Sequence, residues 1–268
     1  MAQIDSGFKL ELDWEGKAAH NPLYAVMSIQ SFKDKSEHPE DWSEEDLAAF
    51  FAKGRAAFEQ YFKPTLSRAG IAPGASFVVE YGSGMGRVLR AVHEAGYSCG
   101  GIDISPTMLK HSAQLTPAVH KLWALDDEGD CQAPSDCADF VYSYAVIQHI
   151  SRLSRVRKAI QQMARVCKPG GLLRLQIKSP EHPFRSNAPG RPLSVFNGED
   201  KTVLVFPPKA GEGPDSGIQI VEHNHWHGIP LAISTMRSLM DEFGLEVTGM
   251  QQDVRAAEWV WFDARKAA

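Results

Sequence analysis

With 268 residues, 43% of them hydrophobic and 23% charged, the chain has material for one large globular core. Its net charge of −5 gives no basic footprint for nucleic acid, and no apolar run approaches the roughly 20 residues that cross a bilayer. Met1–Lys9 lacks the apolar stretch of a secretory signal, so a cytoplasmic protein is expected.

The N-terminal part reads as helical. Ser43 precedes the acidic turn Glu44-Glu45-Asp46, as an N-cap does. Leu47, Phe50, Phe51, Phe58, Tyr61 and Phe62 then recur as an apolar face. Pro64 and the Gly70, Pro73, Gly74 stretch are expected to break that run. An apolar strand follows at Phe77-Val78-Val79-Glu80, then glycines at every second position, Gly82, Gly84 and Gly86. A second apolar run, Gly101-Ile102-Asp103-Ile104, ends on an acid, and a third strand is expected at Leu122–Leu125 ahead of Asp126, Asp127 and Glu128. Asp139–Tyr144 reads as a fourth strand, running on through Gln148-His149-Ile150. The helix Leu153–Cys167 puts Val156, Ile160, Met163 and Cys167 on one stripe. Lys168-Pro169-Gly170-Gly171 turns the chain into strand Leu172–Ile177, and the helix-strand alternation argues for parallel βαβ units.

From Pro180 to His225 prolines and glycines interrupt the pattern, and only Lys201–Phe206 and Ile218–Val221 look strand-like. This is either a surface excursion with a short hairpin or a substrate lid; it leaves from the carboxyl end of the fifth strand, where open α/β sheets bind ligands. Trp226-x-Gly228, a helix, a Phe243-Gly244-Leu245 turn and Trp259-Val260-Trp261-Phe262 close the chain.

The glycine loop carries the chemistry. Glycines let the backbone approach a ligand, and the helix starting near Arg87 presents free N–H groups. An acid about 20 residues after the loop suits ribose hydroxyls in a doubly wound α/β domain. The dinucleotide version would have its third glycine at position 87, where this chain has Arg87, so a nicotinamide oxidoreductase does not fit. The spacing Gly82, Gly84, Gly86 with Glu80 ahead points to S-adenosylmethionine. The alternatives are a tight strand-to-helix turn for the glycines and a helix cap for Asp103.

Taken in order, the glycine loop, the Asp103 strand with Ser105-Pro106-Thr107-Met108-Leu109, the fourth strand with Gln148-His149-Ile150, Lys168–Gly171 and the late Trp226-x-Gly228 resemble the class I S-adenosylmethionine-dependent methyltransferases. The resemblance covers 71–178 and 226–266. It implies an α/β fold, a doubly wound Rossmann-like seven-stranded sheet, with a helical cap at 1–70, a binding core at 71–179, an insertion or lid at 180–225 and a return to the core at 226–268. The implied cofactor is S-adenosyl-L-methionine. Its set is Glu80, Gly82, Ser83, Gly84, Gly86, Arg87, Asp103, Ile104, Met108, Asp127, Glu128 and Tyr144, with Tyr24 in a segment closing over the ligand. Asp127 fits the adenine position by its spacing to Asp139, although three adjacent acids equally suit a solvated turn. The partner is a small-molecule methyl acceptor, a sugar or other polar metabolite, most simply methylated on oxygen; a non-catalytic cofactor-binding protein is the alternative.

Methyl transfer asks for placement, and a hydroxyl acceptor also for a base. His149 follows the fourth strand and suits that role, or else it caps the next helix. His223, His225 and His227 alternate and share a face in an extended segment. His225 or His227 in the acceptor pocket, a metal site or ordinary histidines are the readings, and no metal is assigned. Cys99, Cys131, Cys137 and Cys167 show no C-x-x-C pair and read as free thiols.

Overall fold

The computed structural model describes residues 14–268 except 28–29, 34, 120, 183, 185–188, 209–210, 212 and 224–227, and leaves out the side chains of 24, 31, 214 and 215. The chain forms two units, Met1–Tyr142 with Val166–Gly171, and Ser143–Arg165 with Leu172–Ala268. Ten strands are named here in chain order: β1 Phe77–Tyr81, β2 Ser98–Asp103, β3 Lys121–Ala124, β4 Ala138–Ser143, β5 Cys167–Lys178, β6 Ser194–Asn197, β7 Lys201–Val205, β8 Ile218–Glu222, β9 Leu245–Gln252 and β10 Trp259–Lys266. Seven join in one sheet in the order β3-β2-β1-β4-β5-β10-β9. This is the expected seven-stranded, doubly wound α/β sheet. Among the described residues no helix is long and apolar enough to cross a membrane.

In the first unit β1 pairs in parallel with both β2 and β4, and β2 with β3. Val78, Val79, Phe140 and Val141 are fully buried, as strands covered on both faces require. The strand order reverses at β1, since β2 and β3 lie on one side of it and β4 on the other. A ligand crevice opens at the carboxyl ends of strands at such a reversal.

The helices of this unit are α1 at 14–20, α2 Pro22–Val26, α3 Glu44–Ala57, α4 Lys63–Arg68, α5 Arg87–Glu94 and α6 Pro106–Leu115. Ser43 caps α3, its hydroxyl accepting from the Asp46 amide at 3.1 Å. Pro64 does not break the run as the sequence suggested. A π-turn at Phe58–Phe62 widens the helix just before it, with the Lys63 amide reaching back to the Phe58 carbonyl, and Pro64 enters at the start of a new α segment. There its missing N–H costs nothing, because first-turn amides lack helical partners anyway. The π-turn also swings Phe58, Tyr61 and Phe62 inward, and Phe62 packs 4.3 Å from the Tyr142 ring.

The second unit contains α7 Leu153–Val166 and α8 Ile233–Glu242, with β10 antiparallel to both β5 and β9. β5 begins at Cys167, earlier than expected; Gly170 makes the turn within it at φ 73. Residues 194–222 form a separate antiparallel sheet, β6-β7-β8, with one strand more than the sequence suggested. Ser194–Asn197 was hidden by its short, half-polar pattern between breakers. Val195 and Leu204 pack on Ala232 at the start of α8, while Phe196, Ile218 and Ile220 stay exposed. Asn197 fastens this sheet, donating to the Pro230 carbonyl at 3.1 Å and accepting from the Ala232 amide at 2.9 Å.

Candidate functional site

The chain leaves β1 through Gly82 at φ 78, Gly84 at φ 50 and Gly86 at φ 78, a left-handed alternation that glycine adopts without penalty. The Gly82 and Ser83 amides donate to the Ile102 carbonyl at 2.7 and 3.0 Å, pinning the loop to the end of β2. The Gly84 amide donates to Asp103 Oδ2 at 2.7 Å, and the Ser105 amide to Oδ1 at 2.9 Å. The glycines differ in purpose. A Cβ on Gly86 would lie 2.6 Å from Ser112 Oγ and 3.0 Å from Thr116 Oγ1, so α6 packs directly onto it. A Cβ on Gly84 would meet only Val26 Cγ2, at 3.5 Å. Gly86 is small for the fold, whereas at Gly84 a Cβ would make only an ordinary contact, at a φ that still favours glycine.

Glu80 is 4% exposed and accepts from the Tyr142 hydroxyl at 3.0 Å. Burial pushes its carboxyl up to about 8, although Tyr142, Arg87 and the Leu89 amide favour the ionised form. Leu89 lies in the first turn of α5, so the buried acid supports the helix whose N-terminus the loop presents. Its contacts with Tyr142 and the Leu89 amide thus tie it to the scaffold of the loop. Ser83 turns its hydroxyl inward, towards Gly101, where an added Cβ would come within 2.5 Å of Oγ. Arg87 lies against α3: a Cβ on Gly54 would fall 1.9 Å from the Arg87 carbonyl oxygen. Ser83 Oγ and Arg87 Cγ, the latter 3.1 Å from where a Gly54 Cβ would lie, thus pack within the unit.

Asp103 is 8% exposed; burial pushes its carboxyl above the ordinary value against the Ser105, Gly84 and Ile104 amides, and nearby Glu15 adds to the rise. Ile104 is half-buried, and Met108 is buried in a cluster with Met85, Ala18 and Leu23. Asp127 and Glu128 sit exposed at the tip of a turn. That turn is closed by the Asp126 amide on the Asp130 carbonyl at 2.8 Å and by the Asp130 amide on Asp126 Oδ1 at 2.7 Å. Tyr24 lies in α2, and its side chain is outside the described residues.

The second unit holds the remaining expected residues. Tyr144, one residue past β4, stacks on Trp261 at 5.6 Å, and its hydroxyl accepts from Arg255 Nη1 at 2.7 Å. Asp253 is buried beneath, accepting from Gln176 Nε2 at 2.6 Å, Trp261 Nε1 at 3.0 Å and both Arg255 Nε and Nη2 at 3.1 Å. Burial alone would raise the Asp253 carboxyl, yet these donors, Arg255 foremost, hold it below the ordinary aspartate value. Sequence reasoning missed Asp253, Arg255 and Gln176, which only the β5–β10 register, with Gln176 opposite Trp261, brings together. Ala145 follows Tyr144 with φ 59, a strained conformation for a residue with a side chain.

His149 ends a short 3₁₀ turn, Ile147–His149, with its Nε2 3.3 Å from Gln148 Nε2. The late glycine packs onto this turn. Gly228, at φ 44, lies where a Cβ would fall 2.2 Å from the Gln148 carbonyl oxygen, and the Ile229 amide donates to Ile150 at 3.0 Å. His225 and His227 lie outside the described residues. His223 sits 2.8 Å from Thr202 Oγ1 in the small sheet. Cys99, Cys131 and Cys167 are buried, and Cys137 is half-buried.

The residues around Asp103 fit a nucleoside cofactor by geometry: an open left-handed glycine, an adjacent amide and a buried carboxylate held by backbone donors. Residues 79–175 match the family model described as a methyltransferase domain. The chain is 32% identical over 113 residues to a demethylmenaquinone methyltransferase of Tropheryma whipplei, a match covering 42% of this chain and 45% of that protein. It therefore spans about half the length of the curated relatives it matches. Among solved structures, magnesium protoporphyrin IX methyltransferase of Synechocystis, with bound S-adenosylmethionine, covers 100% of both chains at a TM-score of 0.57 and 14% identity. A S-adenosylmethionine-dependent methyltransferase of Methanosarcina mazei covers 77% of this chain and 98% of its own at 0.52 and 14%. At these identities the structures show the shared fold. Residues 79–175 thus match a methyltransferase domain, and the chain shares its fold with S-adenosylmethionine-dependent methyltransferases of known structure.

Proposed function

We propose that the protein transfers a methyl group from S-adenosylmethionine to an oxygen of a polar small molecule. The observation that carries the cofactor half is the Gly84 amide on Asp103 at 2.7 Å, beside the glycine with room for a ligand. When bound, the cofactor supplies a sulfonium methyl to an in-line nucleophile. The residues of the chain do the placing: Asp103 accepts from the ribose hydroxyls and the Gly84 loop follows the rest of the ligand. His149, on the loop after β4, serves as the base that takes the acceptor's proton, with Gln148 beside it. Tyr144, Asp127 and Glu128 remain in the proposed cofactor set, Tyr144 tied to Arg255 and the acids on their turn.

The acceptor half rests on the character of the second unit. Tyr144, Gln148, His149 and Arg255 are polar groups on segments that follow β4 or precede β10. The relatives named above act on demethylmenaquinone and on magnesium protoporphyrin IX, both of them small molecules. Residues 180–225 form a lid over the acceptor in this reading. The test is an assay of S-adenosylhomocysteine release with panels of polar hydroxylated metabolites. Release that rises with one acceptor supports an enzyme; tight cofactor binding with no turnover on any acceptor favours the non-catalytic alternative.

A further inference from the structure

The first turn of α6 is completed from far away in the chain. Pro106 opens it without an N–H, the Met108 amide donates to Ser105 Oγ at 3.1 Å, and the Leu109 amide makes the first helical bond, to the Ser105 carbonyl at 3.1 Å. The Thr107 amide instead meets Glu15 Oε2 at 3.4 Å, across 92 residues of sequence. The same carboxylate accepts from Ser105 Oγ at 2.5 Å and from the Thr107 hydroxyl. Burial opposes its charge, but the Ser105 and Thr107 donors outweigh that and hold the carboxyl below the ordinary glutamate value. Ser105 in turn gives its amide to Asp103. Glu15 is thus one residue removed from the cofactor's proposed ribose acceptor.

The segment that carries Glu15 then runs on to the other side of the same crevice. Ala18 and Leu23 are buried with Met85 of the glycine loop and Met108 of α6, with Val26 packed against that cluster. Val26 Cγ2 is the atom facing the open side of Gly84. Residues 14–27 therefore touch the Asp103 end through Glu15 and the Gly84 end through Val26.

We propose that Glu15 is a cofactor-positioning latch: its bonds to Ser105 and Thr107 hold residues 14–27 across the Gly84–Asp103 crevice, and their release sets how fast S-adenosylhomocysteine leaves. The inference rests on the crevice being the cofactor site. A latch absent from the entry complex slows departure far more than arrival, whereas a residue that merely shapes the pocket changes both rates or only stability.

Stopped-flow association and dissociation of S-adenosylhomocysteine tests this on wild type, Glu15→Gln, Thr107→Val and the double variant, with thermal unfolding as the folding control. Glu15→Gln keeps the shape and removes the charge, so its dissociation rate rises about tenfold with association within about twofold, as loss of charge-assisted bonds predicts. Thr107→Val gives a smaller rise, and the double variant falls short of the product because both act on one contact. Wild-type dissociation rates in both folded single variants overturn the latch while leaving the crevice in place. No binding by the wild type overturns the crevice reading and the latch with it. If Glu15→Gln does not fold, Thr107→Val decides: an unchanged dissociation rate rejects the proposal.

Discussion

The Gly84 amide and the Asp103 carboxylate meet at 2.7 Å, joining the loop after β1 to the last residue of β2. Because β1 and β2 are parallel and in register from Phe77↔Ser98 to Tyr81↔Ile102, both groups emerge at the same edge of the sheet. This contact fixes the loop at the carboxyl ends of β1 and β2, and it makes an acid and a glycine 19 residues apart act as one feature.

The glycines separate binding from folding. Gly86→Ala places a methyl 2.6 Å from Ser112 Oγ at φ 78 and is expected to cost about 1–3 kcal/mol of stability from overpacking, plus the left-handed penalty. Gly84→Val, at φ 50, also carries the left-handed penalty but makes no such overlap, and it fills the ligand's space, so S-adenosylhomocysteine binding disappears while unfolding stays cooperative. Differential scanning calorimetry beside a binding titration checks both. Equal binding losses with equal destabilisation would remove the distinction.

Glu80 predicts a pH dependence of stability. Its carboxyl is raised from 4.5 to about 8, so between those values the folded state holds a proton that the unfolded state has lost. The contribution is fully present below 4.5 and is lost as pH rises through about 8; the raised carboxyl of Asp103 acts in the same direction. Thermal midpoints from pH 5 to 8 should therefore fall more for the wild type than for Glu80→Gln. Parallel profiles would show that Glu80 titrates near its ordinary value.

Gly54→Ala tests the helical packing beside the loop. Its Cβ would fall 1.9 Å from the Arg87 carbonyl oxygen, so α3 and α5 have to separate. A loss of roughly 3 kcal/mol or more follows, above the usual range for a surface helix position. Urea unfolding reads it directly, and a change under about 1 kcal/mol would mean the helices part easily.

Much of the Gly84–Asp103 arrangement was legible in the sequence because it is local: a strand, a glycine loop and an acid closing the next strand are contiguous patterns. The separate purposes of Gly84 and Gly86 were not legible, since they depend on Val26 and Ser112 packing from other elements. Glu15 left no signal, as its partners lie 90 or more residues away and its own neighbourhood is an ordinary helix. Pro64 misled because a proline's effect depends on the hydrogen bonding before it, here a π-turn. The exposed tip carrying Asp127 and Glu128 was left open between ligand contact and solvated turn, because acids suit both equally.

For catalysis, His149→Ala should lower turnover by roughly 10²–10⁴-fold once an acceptor is in hand, the range for a positioned base. Affinity for S-adenosylhomocysteine should hold, because the Gly84–Asp103 contact does not involve His149. Steady-state rates on the two proteins decide it. Full turnover in His149→Ala, with activity lost instead in His225→Ala or His227→Ala, would move the base to the later segment.

The central claim is the nucleoside site at Asp103, and calorimetric titration of S-adenosylhomocysteine into wild type and Asp103→Ala tests it most directly. The account predicts one site per chain in the wild type and a loss of about 1.5–3 kcal/mol per removed ribose bond in a cooperatively folded variant. Unchanged affinity in folded Asp103→Ala would contradict it.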